Sequence, residues 1–166
     1  MKIRIGNSLD IHRFKDGNGI ILGGVSIPYH KSLEGHSDAD CVLHVVAESM
    51  LGALALGDLG KHFPDTDPKY KGISSRILVT TTMKLMKQRG FSVNNIDITI
   101  VAEAPMIAPY IQLMRENISN LLETEIDNVS IKATRGEKLG FIGRGEGILA
   151  QASILMINTQ YELKKL

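Results

Sequence analysis

Gly35-His36-Ser37-Asp38-Ala39-Asp40-Cys41-Val42-Leu43-His44-Val45-Val46 is a polar, acidic run that turns abruptly apolar. An acidic residue just ahead of an apolar periodic stretch marks a helix start, so a long helix is predicted from Ser37 or Asp38. Val42, Val46, Met50 and Leu54 recur at i+4 and predict an apolar face reaching about Ala55. Upstream, residues 2–14 alternate apolar and polar positions as a half-buried strand does. Lys15-Asp16-Gly17-Asn18-Gly19 is a turn signal, and residues 20–28 form a second extended segment with a bend or bulge at Gly23-Gly24. Downstream, residues 57–72 are irregular, and a second helix is predicted from Ser74 or Ser75 through Lys87, closed by Gly90. Residues 96–102, 129–134 and 146–157 read as strands, and residues 108–122 as a third helix. Interleaved strands and helices predict an α/β or α+β fold with one mixed sheet.

The 166 residues suit one domain, predicted over 1–158, with a polar tail at 159–166. The chain is 43% hydrophobic and 22% charged, which excludes collagen-like, coiled-coil and broadly disordered classes. Nineteen basic against eighteen acidic side chains leave a formal charge of +1, so no nucleic-acid or membrane partner is expected from charge. Cys41 is the single cysteine, which excludes an intrachain disulfide or a cysteine-built zinc cage. The N-terminus lacks a signal-peptide core, and no apolar stretch approaches the roughly eighteen residues a membrane span needs. A cytoplasmic protein is the expectation.

Four groups of residues can carry chemistry. Asp10-Ile11-His12 places a carboxylate and an imidazole on one face of a strand, suited to a shared metal or equally to a solvated pair. On the predicted helix, Asp40, His44 and Glu48 form an i+4 row. His44 is either a core histidine bonded to a backbone carbonyl or the third ligand of a catalytic divalent ion beside Asp10 and His12. Asp58, Asp65 and Asp67 on the irregular loop can hold sugar hydroxyls or simply cap turns. The glycine-rich, basic stretch from Lys132 to Gly147 can cradle phosphate, with Glu137 able to hold magnesium, yet it matches neither a P-loop nor a dinucleotide fingerprint.

Taken together these groups resemble the 2-C-methyl-D-erythritol 2,4-cyclodiphosphate synthases of the non-mevalonate isoprenoid pathway. The resemblance rests on Asp10-x-His12, on His36-Ser37-Asp38-x-Asp40-x-x-x-His44, and on Gly57-Asp58-x-Gly60-Lys61-x-Phe63-Pro64-Asp65-Thr66-Asp67. It continues through Ala104-Pro105, Lys132-Ala133-Thr134 and Glu137-Lys138-Leu139-Gly140-Phe141-x-Gly143-Arg144-Gly145-Glu146-Gly147. It implies a mixed sheet with helices on one face, assembled as a homotrimer with active sites between subunits. It implies that the 2-phosphate of a cytidine-diphosphate substrate attacks the β-phosphorus and expels CMP. Zinc would be held by Asp10, His12 and His44, and magnesium or manganese by Glu137 with the substrate diphosphate.

By position, His36 matches a transition-state stabiliser and Ser37 a phosphate contact. Asp58, Leu59, Gly60, Phe63, Pro64, Asp65, Thr66 and Asp67 match the methylerythritol region. Ala102, Glu103, Ala104, Pro105, Met106, Ile107 and Ala108 match the cytosine pocket, while Thr134, Arg135, Gly136 and Glu137 match the diphosphate turn. Phe141 and Arg144 match residues at the trimer axis, where some members hold an isoprenoid diphosphate. Ser8 and Leu9 replace the usual Gly and aromatic, and Met106 replaces a common Lys. Arg135 and Gly136 stand where the family carries Thr, Arg135 at the second stabiliser's place, and Gly136 is expected to make room for it.

Overall fold

The structure, a computed structural model, describes residues 2–158, so the predicted tail lies outside the described residues. The alternation at the N-terminus forms a 14-residue strand, β1 (Ile3–Asp16), which runs into the predicted turn. Residues 20–28 are not one bent segment but a separate hairpin, β2 (Ile20–Leu22) and β3 (Val25–Ile27). Gly23 and Gly24 take φ of 57° and 73°, the backbone that a tight two-residue hairpin turn requires. A short strand that the sequence reading did not contain, β4 (Lys31–Leu33), pairs antiparallel with the end of β1.

The first helix, α1 (Cys41–Ala53), begins three or four residues later than predicted. Asp40 is its N-cap, and Ala39 at φ 58° interrupts the backbone ahead of it. Asp38 instead reaches the next long helix, accepting hydrogen bonds from Ser75 N at 3.0 Å and from Ser75 Oγ. Almost every side chain of α1 is buried, so it is a core helix rather than one with a single apolar face.

The irregular stretch contains a one-turn helix, α2 (Leu59–His62), and a 3₁₀ turn at Pro68–Tyr70. Helix α3 (Ser75–Gln88) then leads to β5 (Phe91–Val101), which starts five residues earlier than predicted and carries a register shift between Val93 and Asn95. A 3₁₀ turn at Ala108–Tyr110 opens α4 (Ile111–Leu122), followed by β6 (Val129–Thr134). A short helix, α5 (Gly140–Gly143), precedes the last strand, β7 (Gly147–Asn158).

The five-stranded sheet has the order β4-β1-β7-β5-β6. β1 and β7 pair antiparallel from Ile3↔Ile157 to Arg13↔Gly147, and β5 runs antiparallel to β7. β5 and β6 are parallel, a pairing that needs a crossover, and α4 supplies it. α1 packs over β1 and β7, with α3 against α1 and α4. A Cβ on Gly6 would lie 1.9 Å from Ser49 O, so only glycine lets α1 come this close to β1. That approach brings the inward-facing even positions of β1 against the start of α1. On its other face, β1 leaves Ile3, Ile5, Leu9 and Ile11 between 48% and 70% exposed.

Candidate metal centre and active site

The strand period puts Asp10 and His12 on the inward face of β1, and His44 meets them from the first turn of α1. Asp10 Oδ2 lies 3.0 Å from His44 Nδ1 and 3.2 Å from His12 Nδ1. The two imidazoles are tilted, with centroids 5.1 Å apart. Ligand atoms of all three residues lie within 4.8 Å of one another.

Burial pushes the Asp10 carboxyl up, but the close imidazoles of His12 and His44 outweigh it and hold Asp10 well below the usual carboxylate range. His44 Nε2 sits 3.0 Å from Ser37 Oγ, which itself accepts the Ala39 N–H at 3.1 Å. His12 Nδ1 is buried and, despite its closeness to Asp10, has no aligned hydrogen-bond partner. An ionised carboxylate and two converging imidazoles, one with an orphaned ring nitrogen, form the donor set of a divalent ion with an open position. The group fits zinc.

These residues line a cavity of about 330 Å³ together with His36, Ser37, Glu48, Phe63, Asp65, Tyr70 and Lys71. His36 is exposed on the rim, 3.9 Å from Asp65 Oδ2. Leu59 reaches the cavity, while Asp58 caps α2 through Lys61 N at 2.9 Å and is solvent-facing. Gly60, Pro64 and Thr66 are not among the lining residues, and Asp67 caps the 3₁₀ turn and pairs with Lys69. The loop carboxylates thus divide between turn chemistry and the cavity.

A second cavity, about 250 Å³, is lined by Ala102, Glu103, Pro105, Met106, Ile107, Ala108, Thr134 and Arg135. It lies at the ends of the parallel strands β5 and β6, and Ala104 joins Pro105 through a cis peptide. It shares no lining residue with the first cavity. Glu137 is exposed at φ 51°, with no hydrogen-bond or ion-pair partner among the described residues. Phe141 shares a third cavity with His12 and Glu146, and Arg144 pairs with Glu146 at 2.6 Å.

Two expectations change. Asp40 does not join the His44 row: its carboxylate turns inward onto the amides of Gly23, Gly24, Val42 and Leu43. Gly136 does not open space, since a Cβ there would lie 2.7 Å from Gly143 N and 3.0 Å from Ile142 Cγ2. Ser8 is buried and its hydroxyl donates to Glu48 Oε2, so the hydroxyl at this position has a partner. Glu48 also accepts the Leu59 N–H at 3.4 Å, tying β1 and α1 to the start of α2. Its i+4 spacing from His44 was the signal for a cavity residue. No comparable signal distinguished Tyr70 or Lys71.

A family model described as the YgbB family matches residues 3–157. The chain belongs to the YgbB family. A relative from Chloroherpeton thalassium, named 2-C-methyl-D-erythritol 2,4-cyclodiphosphate synthase, is 53% identical over 154 residues, covering 93% of this chain and 98% of its own. Another of that name, from Shewanella sp. W3-18-1, is 52% identical over 160 residues, covering 96% of this chain and 99% of its own. Among solved structures, the Plasmodium falciparum IspF–CDP complex superposes with a TM-score of 0.83 at 33% identity, covering 94% of this chain and 96% of its own. The bifunctional IspDF of Campylobacter jejuni gives 0.89 at 37% identity over 93% of this chain and 42% of its own. The mixed sheet is therefore the YgbB fold. No helix among the described residues is long and apolar enough to cross a membrane.

Proposed function

We propose that this chain is a cytoplasmic, homotrimeric phosphorus–oxygen lyase. It converts 4-diphosphocytidyl-2-C-methyl-D-erythritol 2-phosphate into 2-C-methyl-D-erythritol 2,4-cyclodiphosphate and CMP. The observation that carries the reading is the Asp10–His12–His44 triad at a cavity that His36 and Ser37 also line. An oxygen of the 2-phosphate forms the new bond to the β-phosphorus, and the bond from that phosphorus to the CMP oxygen breaks. Nucleophile and target belong to one molecule, so the protein's work is folding a flexible substrate into an in-line pose and balancing charge on its oxygens. A divalent ion held by Asp10, His12 and His44 supplies Lewis acidity to a phosphate oxygen. His36 and Ser37 offer hydrogen bonds beside the triad, and Asp58 offers its carboxylate to the polyol. Glu137 has the oxygen donor suited to magnesium or manganese shared with a diphosphate.

Two features support a trimer with shared sites. The cytidine-type cavity at residues 102–108 and the triad cavity share no lining residue, an arrangement that suits a site in which one subunit's triad is completed by a neighbour's nucleotide pocket. The outward stripe Ile3, Ile5, Leu9 and Ile11 is too apolar to face water without cost and suits burial against another copy. Phe141 and Arg144 would then stand near the axis, where an isoprenoid diphosphate would find an aromatic and a cation.

Arg135 lines the nucleotide cavity with no ion pair among the described residues, so its guanidinium is available to phosphate. Arg135→Thr is expected to change CMP release by roughly tenfold while moving stability within about 0.5 kcal/mol, as for an exposed side chain. A rate equal to the parent's would show that Arg135 does not touch the reacting phosphates.

The reading as a whole is tested by supplying purified protein, zinc, magnesium and the substrate, and following CMP and product identity. Cyclic diphosphate with one CMP per turnover is expected. A linear product would indicate a phosphohydrolase using water. Bound CDP without CMP release, from folded protein, would indicate a binding protein.

A further inference from the structure

The cavity beside the triad holds the carboxylates Asp10, Glu48 and Asp65, yet the proposed substrate reaches it with phosphate charge. Among the described residues lining it, Lys71 is the one lysine or arginine. Its ammonium has no ion-pair or hydrogen-bond partner among the described residues. Two residues earlier, Lys69 is committed to Asp67 at 2.8 Å and lies 4.6 Å from the Tyr70 ring centroid. The same turn therefore occupies one lysine and leaves the other unpaired at the cavity.

The backbone around Lys71 is fixed. Lys71 N donates to Pro68 O at 3.2 Å, and the next amide, Gly72 N, donates to His36 O at 2.7 Å. Tyr70 packs edge-on against Phe63, with centroids 5.4 Å apart. Lys71 thus stands directly across a backbone hydrogen bond from His36-Ser37, with a long flexible stem and three donors to offer.

We propose that Lys71 is a substrate-binding residue whose ammonium takes the phosphomonoester end of the substrate. This inference rests on the synthase reading, in which the cytidine end occupies the separate cavity lined by Ala102, Met106 and Arg135 and the β-phosphate and the monoester meet at the triad. Lys71 holds that monoester at the His36-Ser37 wall, so its oxygen is presented for ring closure and the substrate stays folded back.

The test compares the parent with Lys71→Met, Lys71→Arg and Lys69→Met, each loaded with zinc and magnesium. Steady-state CMP release gives KM and kcat, and calorimetry gives the affinity for CDP, which lacks the monoester. Lys71→Met is expected to raise KM roughly tenfold to a hundredfold while CDP affinity and the thermal midpoint stay at parental values. Lys71→Arg should recover most of the loss, and Lys69→Met should leave KM unchanged. A parallel fall in CDP affinity would assign Lys71 to the diphosphate and overturn the proposal, as would an unchanged KM and kcat. A parent that releases no CMP would sink the synthase reading and this inference together. A parent that turns over beside an equally active Lys71→Met would sink this inference alone.

Discussion

His44→Ala is expected to leave a folded protein that no longer holds a divalent ion. The imidazole contributes one of three clustered ligand atoms and touches both Asp10 Oδ2 and Ser37 Oγ at 3.0 Å. Alanine also removes packing against His12, because the His44 side chain is only 13% exposed, so ion content is compared on protein whose fold is checked by circular dichroism. Affinity should fall by more than the roughly 10- to 100-fold that losing a mere outer partner of a ligand costs. CMP release should fall by about a thousandfold or more, since several kcal/mol of charge stabilisation goes with the ion. Zinc content after dialysis against a weak chelator is the direct measurement. A parental zinc content would remove His44 from the ligand set, whatever the activity.

The second large effect concerns stability. Asp40→Ala should lower it by about 4 kcal/mol, because four buried or half-buried amides lose their acceptor and the helix loses its cap. Asp40 Oδ1 accepts from Gly23 at 2.8 Å, Val42 at 3.1 Å and Leu43 at 3.0 Å, and Oδ2 accepts from Gly24 at 2.6 Å. One carboxylate therefore binds the β2–β3 turn to the first turn of α1. For a chain of this size the midpoint of thermal unfolding should drop by roughly 10 °C.

The pH dependence has a definite sign. Burial pushes the Asp40 carboxyl up to about 6, even against the lowering effect of the Leu43, Gly24 and Gly23 amides, and the charge of Asp38 adds to the rise. A carboxyl raised above its unfolded value of 3.8 adds stability that is fully present below that value and is lost as pH rises through about 6. The stability gap between the parent and Asp40→Ala should therefore widen as pH falls from 7 to 4. Urea titrations at the two pH values would show it, and a gap that narrows would mean that the amides, not burial, govern this carboxyl.

Much of the architecture was legible because it is written in local periods. The two-residue alternation of β1 settles which side chains face inward, and with it the convergence of Asp10 and His12. Positions of β6, α3 and α4 follow from apolar spacing within each segment and, for α3, from Gly90 just past its end. The start of α1 did not, because Asp38 and Asp40 are equally good caps by residue type. Only the chain that packs alongside decides between them: Ser75 claims Asp38, and the Gly23–Gly24 turn claims Asp40.

By itself, the sequence determined the order and kind of most elements and the residue types able to hold a divalent ion. These depend on neighbours within a turn or a pleat, where covalent spacing fixes geometry. The tertiary structure decided what no such spacing contains. It turned Asp40 away from the triad, packed Gly136 against Gly143, and separated the nucleotide-type cavity from the metal-type cavity. It also left Lys71 unpaired beside His36 while Lys69 found Asp67. A cavity exists only where segments distant in sequence meet, so its charge and its outline are properties of packing rather than of pattern.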